Sequence, residues 1–142
     1  MSGAGTVLAF DFGERFIGVA VGETGVGVAH PLAAIDERAA AARFAAIAAL
    51  IGEWQPARLV VGLPLGLDGA PHALTRRAQR FARQLEGRFG LPVALVDERL
   101  TSAEARARLR ALNRAGRAHK DLAHPLAAQA ILQDFLDRHA AA

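Results

Sequence analysis

Two acids in this chain stand where chemistry could be done, each at the end of an apolar run. Asp11 follows Val7-Leu8-Ala9-Phe10, and Asp97-Glu98-Arg99 follows Val93-Ala94-Leu95-Val96. Short apolar runs of this kind read as buried strands, so each acid is expected at a strand tip, held rigidly by backbone pairing. Carboxylates brought together at one sheet edge can hold divalent ions, one activating water and the other stabilising the leaving oxygen of a phosphate ester. Beyond Asp11 come Gly13, Arg15 and Gly18. The glycines clear side-chain bulk, so that something large can approach the backbone there.

The elements that must position these acids follow from periodicity and turn chemistry. Residues 6–12, 16–21 and 26–30 read as three short strands separated by Gly-containing turns, too close together to hold helices and so an antiparallel meander. Residues 37–54 carry Phe44, Ile47, Leu50 and Ile51 at helical spacing, with Asp36 as the expected N-cap and Pro56 beyond the end. Leu59-Val60-Val61 is a short buried strand, and 62–69, with four of its residues Gly or Pro, is expected to be loop. Residues 73–89 return to helix, with Leu74, Ala78, Phe81 and Leu85 inward and Gly90 as the stop. Strand 93–97 follows, then a helix from Thr101 or Ser102 to about Leu112. A last helix carries Leu126, Ala130, Ile131 and Phe135, with Pro125 fitting its first turn. The order βββαβαβαα predicts an α/β fold: a mixed five-stranded sheet, a three-strand antiparallel meander plus two parallel strands, flanked by helices.

Length and composition bound the rest. The 142 residues, 52% hydrophobic, suit one domain over 1–142 with an adequate core. There is no cysteine, which excludes disulfides and thiolate metal sites and suits a reducing compartment, so the cytoplasm is the expected location. No basic segment followed by an apolar core opens the chain, and no run of 18 uncharged apolar residues occurs, so neither export nor a membrane is expected. Basic charge comes from 16 arginines and one lysine, Lys120, and it is unevenly spread. Residues 76–120 carry a net +8 and the remainder −5. Such polarity points to a polyanionic partner.

Four blocks in order, Asp11-Phe12-Gly13 with Arg15 and Gly18-Val19-Ala20, Gly62-Leu63-Pro64, Asp97-Glu98-Arg99-Leu100-Thr101, and Ala127-Ala128 before Ile131-Leu132, resemble the YqgF/RuvX family. These are pre-16S rRNA nucleases similar to the RuvC Holliday-junction resolvases, on the ribonuclease H-like fold, and the resemblance runs from about residue 6 to 138. It implies that Asp11 and Glu98 are two of three catalytic acids holding Mg²⁺ or Mn²⁺, hard ions suited to oxygen ligands. The family's third acid falls on His124, a departure that favours Mn²⁺ over Mg²⁺ or weakens activity. Asp121, three residues earlier, would share a helical face with His124, although Pro125 disfavours helical geometry at His124 and points to a loop at Asp121.

Arg15 and Arg99 could each grip a phosphate bidentately or neutralise the neighbouring acids. Thr101 stands where a helix start could bind phosphate or simply be capped. Arginines 76, 77, 80 and 83, with 106, 108, 110, 114 and 117, would track a nucleic-acid backbone.

The resemblance thus implies a metal-dependent nuclease acting on precursor rRNA, with ribosomal particles as further partners and a monomer or weak dimer as the assembly. Branched DNA is the rival substrate, which would make the chain a Holliday-junction resolvase. A non-catalytic nucleic-acid or ribosome-binding module is the reading in which His124 marks a lost site. An actin- or sugar-kinase-like ATPase also opens on Asp-x-Gly in a meander, but it needs a second domain that 142 residues cannot supply, and no Gly-x-x-x-x-Gly-Lys-Ser/Thr loop is present either.

Overall fold

In the computed structural model the described residues are 5–13, 15–36, 39–64, 72–97 and 120–140. The first strand, β1 (Thr6–Phe12), lies at the centre of a five-stranded sheet, and Val7, Leu8, Ala9 and Phe10 are fully buried. Covered on both faces, such a strand is a continuous apolar run rather than an alternating one. β2 (Ile17–Glu23) pairs antiparallel with β1, and β3 (Ala29–Ile35) pairs antiparallel with β2. On the other side β4 (Arg58–Leu63) runs parallel to β1, and β5 (Val93–Asp97) runs parallel to β4. The order is β3-β2-β1-β4-β5, so β1 and β5, which carry Asp11 and Asp97 at their ends, flank β4 and finish at the same sheet edge.

Alternation along β1 divides the core in two. Leu8 and Phe10 face α1 (Ala40–Trp54) and α2 (Ala73–Phe89), where Phe44, Ile47, Phe81 and Leu85 pack against them. Val7 and Ala9 face α3 (Lys120–Ala140), with Ala128, Ile131, Leu132, Phe135 and Leu136. Each fully buried aliphatic or aromatic side chain contributes about 1.5–3 kcal/mol relative to exposure. Local ends are well specified: α1 closes on Gln55 in the left-handed region before Pro56, and α2 closes on Gly90 at φ 65°.

Four local expectations are corrected. β3 occupies Ala29–Ile35 rather than 26–30, because Thr24–Val26 turn and Gly27 takes φ 77°, which leaves Val26 and Val28 exposed outside the strand. Pro31 is tolerated because β3 is an edge strand. Asp36 does not cap α1, whose N-cap is Ala39; its carboxylate accepts instead from Arg15 Nε at 3.5 Å. Gly62 and Leu63 are not loop, since they extend β4 by pairing with Val96 and Asp97. Finally, α3 starts at Lys120, so Pro125 lies inside it and Asp121 is helical rather than in a preceding loop. The interior proline removes one helical hydrogen bond, a cost that burial of the helix on the sheet overrides. The expected helix over 101–112 lies outside the described residues.

Candidate active site

Asp11 is the last residue but one of β1, half-buried, and directly opposite Gly18 of β2. Directly opposed residues of an antiparallel pair point to the same face, with Cβ positions about 5 Å apart. For Asp11 that face is the one shared by Val7 and Ala9, the α3 face. A Cβ built on Gly18 would overlap the carbonyl of His124. The helix backbone at His124 therefore rests directly on Gly18, beside Asp11. The large group admitted by this glycine is the protein's own third helix. Gly13 serves a tighter turn: its N–H donates to the Phe16 carbonyl at 3.0 Å, and a Cβ there would meet that oxygen at 2.6 Å.

The His124 ring is placed by Phe16, with ring centroids 4.6 Å apart and planes at 23°. Stacking engages the face of the imidazole and leaves its nitrogens, which lie in the ring plane, for other partners. Arg15 lies over the same phenyl ring at 5.0 Å while pairing with Asp36 at 3.5 Å. Arg43 Nη2 donates to the Arg15 carbonyl at 3.2 Å, which ties α1 to the β1–β2 turn. Two glutamines fix α3 on the far side of the sheet. Gln133 accepts from the Ala29 N–H at 3.0 Å and donates to the Gly27 carbonyl at 2.9 Å, and Gln129 donates to the Ala29 carbonyl at 2.9 Å.

Of the residues nominated from sequence, Asp11 lies opposite Gly18, on which the backbone of His124 rests, and Asp121 is placed one helical turn before His124. Arg15 stands at the rim, engaged with Asp36 and Phe16. Glu98, Arg99 and Thr101 lie outside the described residues, as do the arginines from 106 to 117. Among the described residues no three His, Asp or Glu side chains stand close enough to share an ion. The donor chemistry nevertheless fits a divalent cation, because a strand-tip carboxylate faces the helix that carries an imidazole stacked on Phe16 by its face rather than its nitrogens. β5 ends two strand positions from β1, about 10 Å away. Sequence reading missed Phe16 and Arg43; an aromatic next to the turn was the available signal for the first, and nothing local marked the second.

A mixed sheet in this order, opened by a meander whose first strand ends in an acid and covered by helices on both faces, defines a ribonuclease H-like protein. The model of the RuvX family, described as Holliday junction resolvase, matches residues 5–138. The chain belongs to the RuvX family. It is 58% identical over 136 residues to a protein of Methylobacillus flagellatus, covering 96% of this chain and 93% of that one. A protein of Nitrosomonas eutropha is 54% identical over 139 residues, with 98% and 88% covered, and one of Dechloromonas aromatica is 54% identical over 133 residues, with 94% and 91% covered. All three are named "Putative pre-16S rRNA nuclease". The enzyme class expected from the sequence, a hydrolase acting on phosphodiester bonds, agrees with those names. Among the described residues no helix is long and apolar enough to cross a membrane.

Proposed function

We propose that this chain is a metal-dependent nuclease that hydrolyses phosphodiester bonds near the 5′ end of precursor 16S rRNA. The observation that carries the reading is the meeting of Asp11 with the His124 segment of α3 across Gly18. The names of the near-full-length relatives supply the substrate class.

Asp11 and Glu98 would hold Mg²⁺ or Mn²⁺, with His124 or Asp121 completing the set. Ala94 and Val96 of β5 pack on the α3 side where Asp11 lies, and Glu98 itself lies outside the described residues. A bound divalent ion supplies Lewis acidity at the phosphoryl oxygen and makes water a nucleophile near neutral pH. The protein's own contribution is placement: the β1–β2 ladder fixes Asp11, and Phe16 fixes the plane of His124. Arg15, Arg99 and Thr101 would contact phosphate around the bond cleaved.

The test is cleavage of single-stranded precursor RNA with Mn²⁺. Asp11→Asn and Glu98→Gln should each lower the rate by about a thousandfold or more, with circular dichroism unchanged. Full activity in either would refute the assignment.

The family model's description favours a second reading, resolution of branched DNA. That reaction needs two sites spaced across the junction, hence a dimer. A protein that sediments as a monomer and leaves four-way junctions intact would remove it.

A further inference from the structure

At the end of the sheet away from Asp11, we infer that an apolar groove between the β2–β3 turn and the end of α1 docks a basic, extended peptide segment of a partner protein against Trp54.

The groove follows from how two elements end. α1 stops at Trp54, because Gln55 takes the left-handed region and Pro56 follows, so no further helical turn covers the indole. Gly27 at φ 77° shapes the β2–β3 turn and leaves Val26 and Val28 outside β3. With Val21 and Leu32 they line a cavity of about 370 Å³. Large apolar side chains exposed singly are ordinary, but of the four among the described residues three, Val26, Val28 and Trp54, meet here.

Charge identifies the occupant. Among the described residues no arginine or lysine lines the groove, whereas the exposed Glu23 does. Glu53, next to Trp54 in α1, is exposed as well, and neither carboxylate has an ion pair among the described residues. A nucleic-acid strand would bring its phosphates towards these acids with no cation to receive them. Lysines or arginines flanking an apolar anchor are attracted instead. A tryptophan among aliphatic walls is the composition of an interface hot spot. Strand addition is closed off, although β3 is an edge strand. Gln133 and Gln129 already hold the Ala29 N–H and the Ala29 and Gly27 carbonyls, and Pro31 has no N–H to give. Recognition here therefore goes through side chains. The groove includes Thr6, the first residue of β1, about 17 Å along the strand from Asp11, so a docked peptide leaves the candidate active site open.

Trp54 is the only tryptophan in the chain, so its emission reports on the groove directly. The full chain is titrated with a short labelled peptide that alternates lysine with leucine and phenylalanine, reading label anisotropy and Trp54 emission together. Saturable, salt-weakened binding is expected, with a blue shift of Trp54 and protection from acrylamide quenching. Val26→Ser/Val28→Ser should weaken it about fivefold or more. Glu23→Gln/Glu53→Gln should weaken it about threefold and flatten its salt dependence. Leu95→Ser, at the exposed apolar residue of β5 outside the groove, should leave it within about twofold of wild type. Circular dichroism should not change in any of these variants, since every position is exposed. Saturation of the label without a change at Trp54, an equal loss from Leu95→Ser, or equal binding of a peptide with glutamate in place of lysine would overturn the proposal. So would a short single-stranded RNA that shifts Trp54 where the peptide does not, or dimerisation of the free protein that protects Trp54, which would give the groove to a second copy of the chain.

Discussion

The two faces of the central sheet are built from different materials. Against α3 the residues around Gly18 are small: Ala9, Ala20 and Ala128 with Gly18 let the helix backbone at His124 come down onto β2, while Leu132, Phe135 and Leu136 fill the layer further along. Against α1 and α2 they are large and aromatic, with Phe10, Phe12, Phe44 and Phe81 keeping the helices at side-chain distance. Close approach suits chemistry, because it fixes Asp11 and His124 through backbone rather than through flexible side chains. The thicker layer leaves a hollow between α1 and α2 lined by Arg43, Arg77 and Arg80. One strand supplies both, through the alternation of Ala9 and Asp11 with Phe10 and Phe12.

Substitutions in the two layers should therefore fail differently. Phe81→Ala removes the ring at the centre of the aromatic layer and should cost about 3–5 kcal/mol in urea unfolding. What protein remains folded should lose RNA affinity as the hollow beside Arg43, Arg77 and Arg80 collapses. Gly18→Ala is the counterpart on the thin face. Its methyl has nowhere to go but into the His124 carbonyl, which is backbone and cannot swing aside. About 1–3 kcal/mol of stability should be lost as α3 is displaced. Here cleavage should fall far more than RNA binding, the reverse of the pattern for Phe81. Equal losses of both activities in either variant would dissolve the division between the layers.

Much of this frame is legible in the sequence, and the misses have physical causes. β1, α2 and β5 were readable to the residue because each is bounded by punctuation or by a change of period: Gly90 ends α2, and Asp97 ends an apolar run. β3 was misplaced because Val26 and Val28 have strand propensity, yet the turn made by Gly25 and Gly27 claims them. Thr75 was overlooked and Leu74 chosen for the inner face of α2. The threonine is fully buried because its hydroxyl accepts from the His72 N–H and donates to the Pro64 carbonyl, a satisfaction invisible to a hydrophobic pattern. The start of α3 was misjudged because a local rule about proline outweighed tertiary packing. At the candidate site, Asp11 was visible from its strand context. Its nearness to the His124 segment was reached only through the family resemblance, which put the third ligand at His124; no local pattern shows that Gly18 receives the helix.

The smallest effect on stability should come from Phe16, and it sharpens the comparison most. Leucine at this position keeps the apolar volume and removes the stacked ring beneath His124, at a cost of about 0.5–1.5 kcal/mol. If the imidazole takes part in hydrolysis, freeing its plane should lower Mn²⁺-dependent kcat by about tenfold while KM for RNA stays near wild type, because an interaction felt only in the transition state moves kcat alone. Arg15 loses the same ring and stays paired with Asp36, so it also reports on the outcome. A rise in KM at constant kcat would assign the Phe16 ring to phosphate binding through Arg15 and take His124 out of the reaction. An unchanged kcat and KM would leave Asp11 to act with ligands other than His124.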